Sequence, residues 1–135
     1  MFKQDIAQLV RSALQESGCD PSLLGPLDNH STIALDLHDL PSIHVAAQDD
    51  DVWLWATLTE HGDAAVAQRA PELLALLMQD CGYAQGGRLQ LALNEGALEL
   101  HALVRSDRLE DGRAFSDALH GFFDSLERCC ETVLR

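Results

Sequence analysis

Residues 49–58 read Asp-Asp-Asp-Val-Trp-Leu-Trp-Ala-Thr-Leu and hold both tryptophans of the chain. On an extended backbone, alternation sends Trp53, Trp55 and Thr57 to one face and Val52, Leu54, Ala56 and Leu58 to the other. Both faces are apolar. A strand covered on one side only carries a polar second face, so this one needs cover on both. The cover has three available sources: the chain's own helices, a second subunit or a partner chain.

The surrounding sequence supplies a sheet for that strand. Thr32 to His38 alternates with Ile33, Leu35 and Leu37 on one face, Asp39 to Pro41 turns the chain, and Ser42 to Gln48 alternates with Ile43, Val45 and Ala47 inward. The three aspartates make the next turn. They lack the spaced ligands, glycine and distal glutamate of a calcium loop. Gly86-Gly87 opens a fourth strand, Arg88 to Leu93, and Asn94-Glu95-Gly96 turns it into a fifth, Ala97 to Arg105.

Three helices complete the chain. Phe2, Ile6, Leu9, Val10, Ala13 and Leu14 recur at helical spacing and predict an amphipathic first helix, ended by Gly18 and a loop rich in proline and glycine. Gly62-Asp63 starts a second, from Ala64 to about Asp80, kinked or restarted at Pro71. The third carries a broad apolar stripe from Ala114 through Phe115, Leu119, Phe122 and Leu126 to Val133. The order is α-β-β-β-α-β-β-α, an α+β fold in which a five-stranded antiparallel sheet packs against helices, and residues 1–135 form a single domain. The run Leu73-Leu74-Ala75-Leu76-Leu77-Met78 is apolar nearly all round. It demands burial on more than one side, from a second subunit or, in a monomer, from the core itself.

With 22 acidic against 9 basic residues the formal charge is -13, which opposes close approach to nucleic acid or an anionic membrane within a Debye length of ~8 Å. No apolar run approaches the ~20 residues of a membrane helix, and the first residues lack the layout of a signal peptide, so the cytoplasm is the expected location. Cys19, Cys81, Cys129 and Cys130 have no metal-ligand or C-x-x-C spacing and read as reduced, buried thiols. The histidines His30, His38, His44, His61, His101 and His120 include no H-E-x-x-H pair, and neither a phosphate loop nor a nucleophile elbow is present. The sequence thus points away from an enzyme, a metal and a cofactor, and toward a protein that holds another chain.

The matching residues for a known family are Gln8-Leu9-Val10-Arg11, Gly18-Cys19 with Pro21, Leu27-Asp28 with His30-Ser31, Pro41 with Ile43, Leu54-Trp55-Ala56, and Asp111-Gly112 with Phe115 and Leu119-His120. In their order and spacing the chain resembles the small acidic chaperones of bacterial type III secretion, in the InvB and SpaK branch that serves several effectors. The resemblance implies a homodimer that binds the N-terminal segment of secreted effectors as an extended chain, adding a strand to the sheet, with the secretion ATPase as a further partner. Backbone pairing at a sheet edge suits a binder of many sequences. Two other functions stay open on residues alone: a regulatory module of the same fold that sequesters a transcription factor, and a small enzyme using His44 or His101 with a carboxylate.

For effector binding the first expectation is Ile6, Leu9, Val10 and Leu14, of which only part is free of the sheet. The second is Ile33, Leu35 and Leu37 on the outer strand, and the third is Trp53 and Trp55. The dimer contact is expected at Leu73, Leu74, Leu76, Leu77 and Met78 of the second helix with Leu89 and Leu91 of the fourth strand.

Overall fold

A computed structural model describes residues 6–16, 32–35 and 39–134. The elements are α1 (Ile6–Glu16), β1 (Ile33–Leu35), β2 (Ile43–Gln48), β3 (Asp51–Thr59), α2 (Gly62–Leu77), β4 (Gln90–Asn94), β5 (Ala97–Leu103) and α3 (Gly112–Leu134). All strand pairings are antiparallel, and the sheet order is β1-β2-β3-β5-β4. The α+β class and the element order match the sequence expectation.

The tryptophan strand lies at the centre, between β2 and β5. Its even-numbered residues Val52, Leu54, Ala56 and Leu58 are buried, together with Ile33, Leu35, Ile43, Val45, Leu100 and Ala102 of its neighbours. Registers such as Val45 opposite Leu54 and Ala102 opposite Leu54 confirm that these side chains share one face. On that face sits α3, whose Phe115, Phe122 and Leu126 are fully buried, and α1 packs against α3 through Leu9, Val10 and Ala13. The contact between the two helices is close, because Gly112 faces Ser12 with no room for a Cβ. Asp111 Oδ1 accepts the Ala114 N–H at 2.8 Å and so starts α3.

One of the two turns around β4 differs from the sequence reading. The fourth strand does not open at Gly86-Gly87. Gln85–Gly87 form a 3-10 turn with φ of 77° at Gly86 and 76° at Gly87, and the Cys81 N–H reaches the Gly87 carbonyl at 2.9 Å. Those left-handed positions fold the segment back on itself, so the strand begins only at Gln90. At the other end, Glu95 (φ 51°) and Gly96 (φ 86°) make the two-residue turn into β5. The Gly96 carbonyl then accepts the Gly62 N–H at 2.8 Å, tying the start of α2 to that hairpin. Within α2 the backbone leaves helical geometry at Arg69 (φ -124°, ψ 17°), two residues before Pro71, which opens the second half.

Candidate functional site

Among the described residues the helices cover one side of the sheet. On the other, strand pairing sets His44 of β2, Trp55 of β3, His101 of β5 and Gln90 of β4 in one row across four strands. The rings of that row stack. His44 and Trp55 lie 4.0 Å apart between centroids at 15°, and Trp55 and His101 lie 6.0 Å apart at 16°. Trp53, one row along, meets His101 edge-on at 6.3 Å and 74°. The tryptophans are therefore half-buried by imidazoles and by each other's row, while a hollow of about 300 Å³ bounded by Ala46, Gln48, Trp53, Trp55, Gln90 and His101 stays open.

Glu99 belongs to the same face, opposite Thr57, and is 8% exposed. Its Oε1 lies 3.0 Å from His101 Nε2, and its Oε2 accepts from Asn94 Nδ2 at 3.4 Å. This is the imidazole–carboxylate arrangement that a histidine enzyme needs in part. It stands on an open sheet face against an indole ring, however, and not in the enclosed polar pocket such chemistry calls for. His61 and His120 are exposed, and no group of histidine, cysteine, aspartate and glutamate side chains among the described residues is placed to hold a metal.

A second region without cover among the described residues runs along the outer side of α2. Only Gly62, Ala65 and Leu73 of this helix are buried. Val66, Leu74 and Leu77 instead line an apolar groove of about 460 Å³ with Leu91, Leu93 and Leu98, beside β4, the last strand of the sheet. Leu74 is 58% exposed, Met78 67% and Leu93 51%, which is far from the core position that an all-apolar helix would take in a self-sufficient monomer.

The sequence-derived site residues divide accordingly. Ile6, Leu9 and Val10 are 3%, 1% and 0% exposed, buried in the core where α1 packs on α3, so in this fold they offer no surface to a second chain; Leu14 is half-buried at the rim of the same core. Ile33 and Leu35 are likewise turned to the core, and Leu37 lies outside the described residues. Trp53 and Trp55 do line the open face. Of the residues expected at a subunit contact, Leu73 is buried in its own chain, Leu76, Leu77, Leu89 and Leu91 are half-buried, and Leu74 and Met78 project outward. Sequence reasoning missed Val66 and Leu93 in the groove and Glu99 beside the tryptophans. The last was available from alternation once Thr57 and Glu99 are set opposite each other.

A polar cavity of about 220 Å³ lies apart from both faces, between the end of α2 and α3, lined by Cys81, Tyr83, Ser125, Arg128 and Cys129 among others. Cys81, Cys129 and Cys130 are buried free thiols, as expected, and Cys19 lies outside the described residues. Among the described residues no helix is long and apolar enough to cross a membrane.

Comparison with known proteins places this architecture. The model of the invasion protein B family matches residues 18–95. The surface presentation of antigens protein SpaK of Salmonella typhimurium is 52% identical over 131 residues, 97% of this chain and 97% of that protein, and SpaK of Salmonella typhi matches equally. Among solved structures, a chain of the heterodimeric complex ExoU-SpcU from the type III secretion system of Pseudomonas aeruginosa shares the fold at a TM-score of 0.59. That likeness has 19% identity and covers 92% of this chain and 93% of the other.

Proposed function

The chain belongs to the invasion protein B family of type III secretion chaperones, and from that premise we propose that it works in the cytoplasm as a homodimer. It binds the N-terminal segment of secreted effectors, keeps them soluble and unfolded enough for export, and delivers them to the secretion apparatus. The observation that carries the proposal is the 52% identity to SpaK across 97% of both chains. The fold adds physical support: among the described residues two apolar regions have no cover, the tryptophan–histidine face and the α2–β4 groove.

The two regions suit different occupants. The groove is flanked by the last strand of the sheet and carries the large exposed side chains Leu74 and Leu93, with the exposed Met78 at the end of α2, a composition suited to a permanent contact with a second copy. The open sheet face is shallow, and its apolar area is interrupted by hydrogen-bonding groups. Such a surface gathers many modest contacts, which is what ordering an unfolded client requires, since that ordering costs ~2–5 kcal/mol or more. No part of this scheme needs catalysis or a cofactor.

The test is co-expression of the tagged chain with N-terminal fragments of candidate effectors encoded beside it. A stable complex, with the fragment protected from proteolysis only where it is bound, is the expected result. Recovery of no complex by a chaperone shown to be folded counts against the proposal, and capture of a DNA-binding protein in place of any secreted one points to a regulatory role.

A further inference from the structure

None of the nine lysines and arginines of the chain falls within any of the five strands. The strands hold two formal charges, Asp51 and Glu99, both negative. Both belong to the open face: Asp51 by alternation with Trp53 and Trp55, and Glu99 through its pairing with Thr57. The nearest arginines along the chain, Arg88 and Arg105, pair with Asp80 and Asp107 instead. Between the two carboxylates stand the indoles. Both neighbours of Trp55 in its row stack on it, but the aromatic contact of Trp53 is edge-on, which leaves its ring faces free of a stacked partner among the described residues. Trp53 lines the hollow of about 300 Å³, and the exposed Asp51 stands two residues along the same strand on the same face; an indole with a carboxylate one step away is the chemistry that recognises a guanidinium.

We infer that the open sheet face contains a subsite for an arginine side chain of the extended polypeptide bound there, the guanidinium stacking on Trp53 and meeting Asp51. The inference rests on the chaperone function proposed above and specifies its client: an apolar segment with a basic residue on the side that faces the sheet. Arginine fits better than lysine, because a planar guanidinium stacks on an indole while its N–H groups stay free for a carboxylate. An ordinary apolar patch would accept any greasy segment; this one discriminates by charge.

Two blocked synthetic peptides of alternating leucine and arginine, or alternating leucine and citrulline, test this on the intact protein. Tryptophan fluorescence and calorimetry report binding. The arginine peptide is expected to bind about tenfold more tightly than its neutral isostere. Asp51→Asn and Trp53→Leu should each remove most of that preference, Trp53→Phe should retain part of it, and Glu127→Gln, an exposed charge on α3, should leave it unchanged. Equal affinity for both peptides overturns the inference, as does an equal loss in Glu127→Gln, which would reduce the effect to the net charge of the chain. Circular dichroism and thermal melting confirm that Trp53→Leu is folded, and Asp51→Asn, at an exposed position, carries the test if it is not. Co-expression separates the two levels. Effector fragments held equally by wild type and Trp53→Leu overturn the arginine subsite and leave the chaperone standing, whereas an intact arginine preference with no effector ever recovered overturns the chaperone function alone.

Discussion

The ring of Tyr83 lies across α3 at Gly121, where a Cβ would stand 2.6 Å from Cδ2 and 2.8 Å from Cε2. The Tyr83 hydroxyl donates to Ser125 Oγ at 3.1 Å, and Ser125 is itself fixed by donating to the Gly121 carbonyl at 3.0 Å, so the ring cannot slide away without losing its bond to Ser125. Gly121→Ala is therefore expected to lower stability by about 1–2 kcal/mol in urea unfolding, the overpacking outweighing alanine's better helix propensity. Gly82→Ala, with open space around it, should change little. Beside this ring, burial pushes the Cys129 thiol from its ordinary value of 9.0 up to about 11, with Cys130 adding to the rise and Arg128 opposing it. Burial also raises Cys130 and, most strongly, Tyr83. In each case the folded state holds its proton more tightly than the unfolded chain does. The associated stability is complete below about pH 9 and drains away as the pH climbs toward 11, because the unfolded state releases protons first. Urea midpoints measured from pH 8 to 11 should fall along that course, and Cys129→Ala should make the fall shallower; a midpoint independent of pH in this range would contradict the burial of these groups.

The first helix shows how an element can be read in sequence while its apolar stripe leaves open what covers it. Its apolar stripe predicted an amphipathic helix, and Ile6–Glu16 is one. A stripe specifies only that something must cover it. Phe115, Phe122 and Leu126 of α3 lie a hundred residues further along, and nothing local to Leu9 or Val10 records that they arrive first. Leu9→Ala is accordingly expected to destabilise the fold by about 2–5 kcal/mol, seen as an early thermal transition, rather than to weaken client binding in a stable protein. Loss of effector with the melting temperature unchanged would restore this helix to the groove. Strands were more legible than faces for the same reason: alternation fixes which residues share a side, so the central strand and the five-strand order of elements could be read directly. Turn geometry was legible at Glu95-Gly96 but not at Gly86-Gly87, where two consecutive left-handed glycines make a fold-back that resembles a strand start in composition alone.

For the molecule as a whole, two large terms oppose each other when copies meet. Each chain carries a formal charge of -13, so two copies repel at long range. Each also presents Val66, Leu74, Met78 and Leu93, all between 36% and 67% exposed, in or beside one groove. Burying apolar surface yields roughly 25 cal/mol per Å², and this term changes little with moderate salt, whereas repulsion between surface charges is screened over ~10 Å at 0.1 M ionic strength and over ~30 Å at 0.01 M. A homodimer formed through the groove should therefore tighten as salt is added, the reverse of an assembly held by ion pairs. Sedimentation at low and high sodium chloride is expected to give a mass near twice 14.8 kDa throughout, or a monomer–dimer equilibrium that shifts toward the dimer with salt. Leu74→Glu combined with Met78→Glu should yield a monomer of unchanged secondary structure, since neither side chain belongs to the buried core. A dimer that survives the double substitution, or one that dissociates with salt, would place the subunit contact elsewhere and leave the α2–β4 groove to the client.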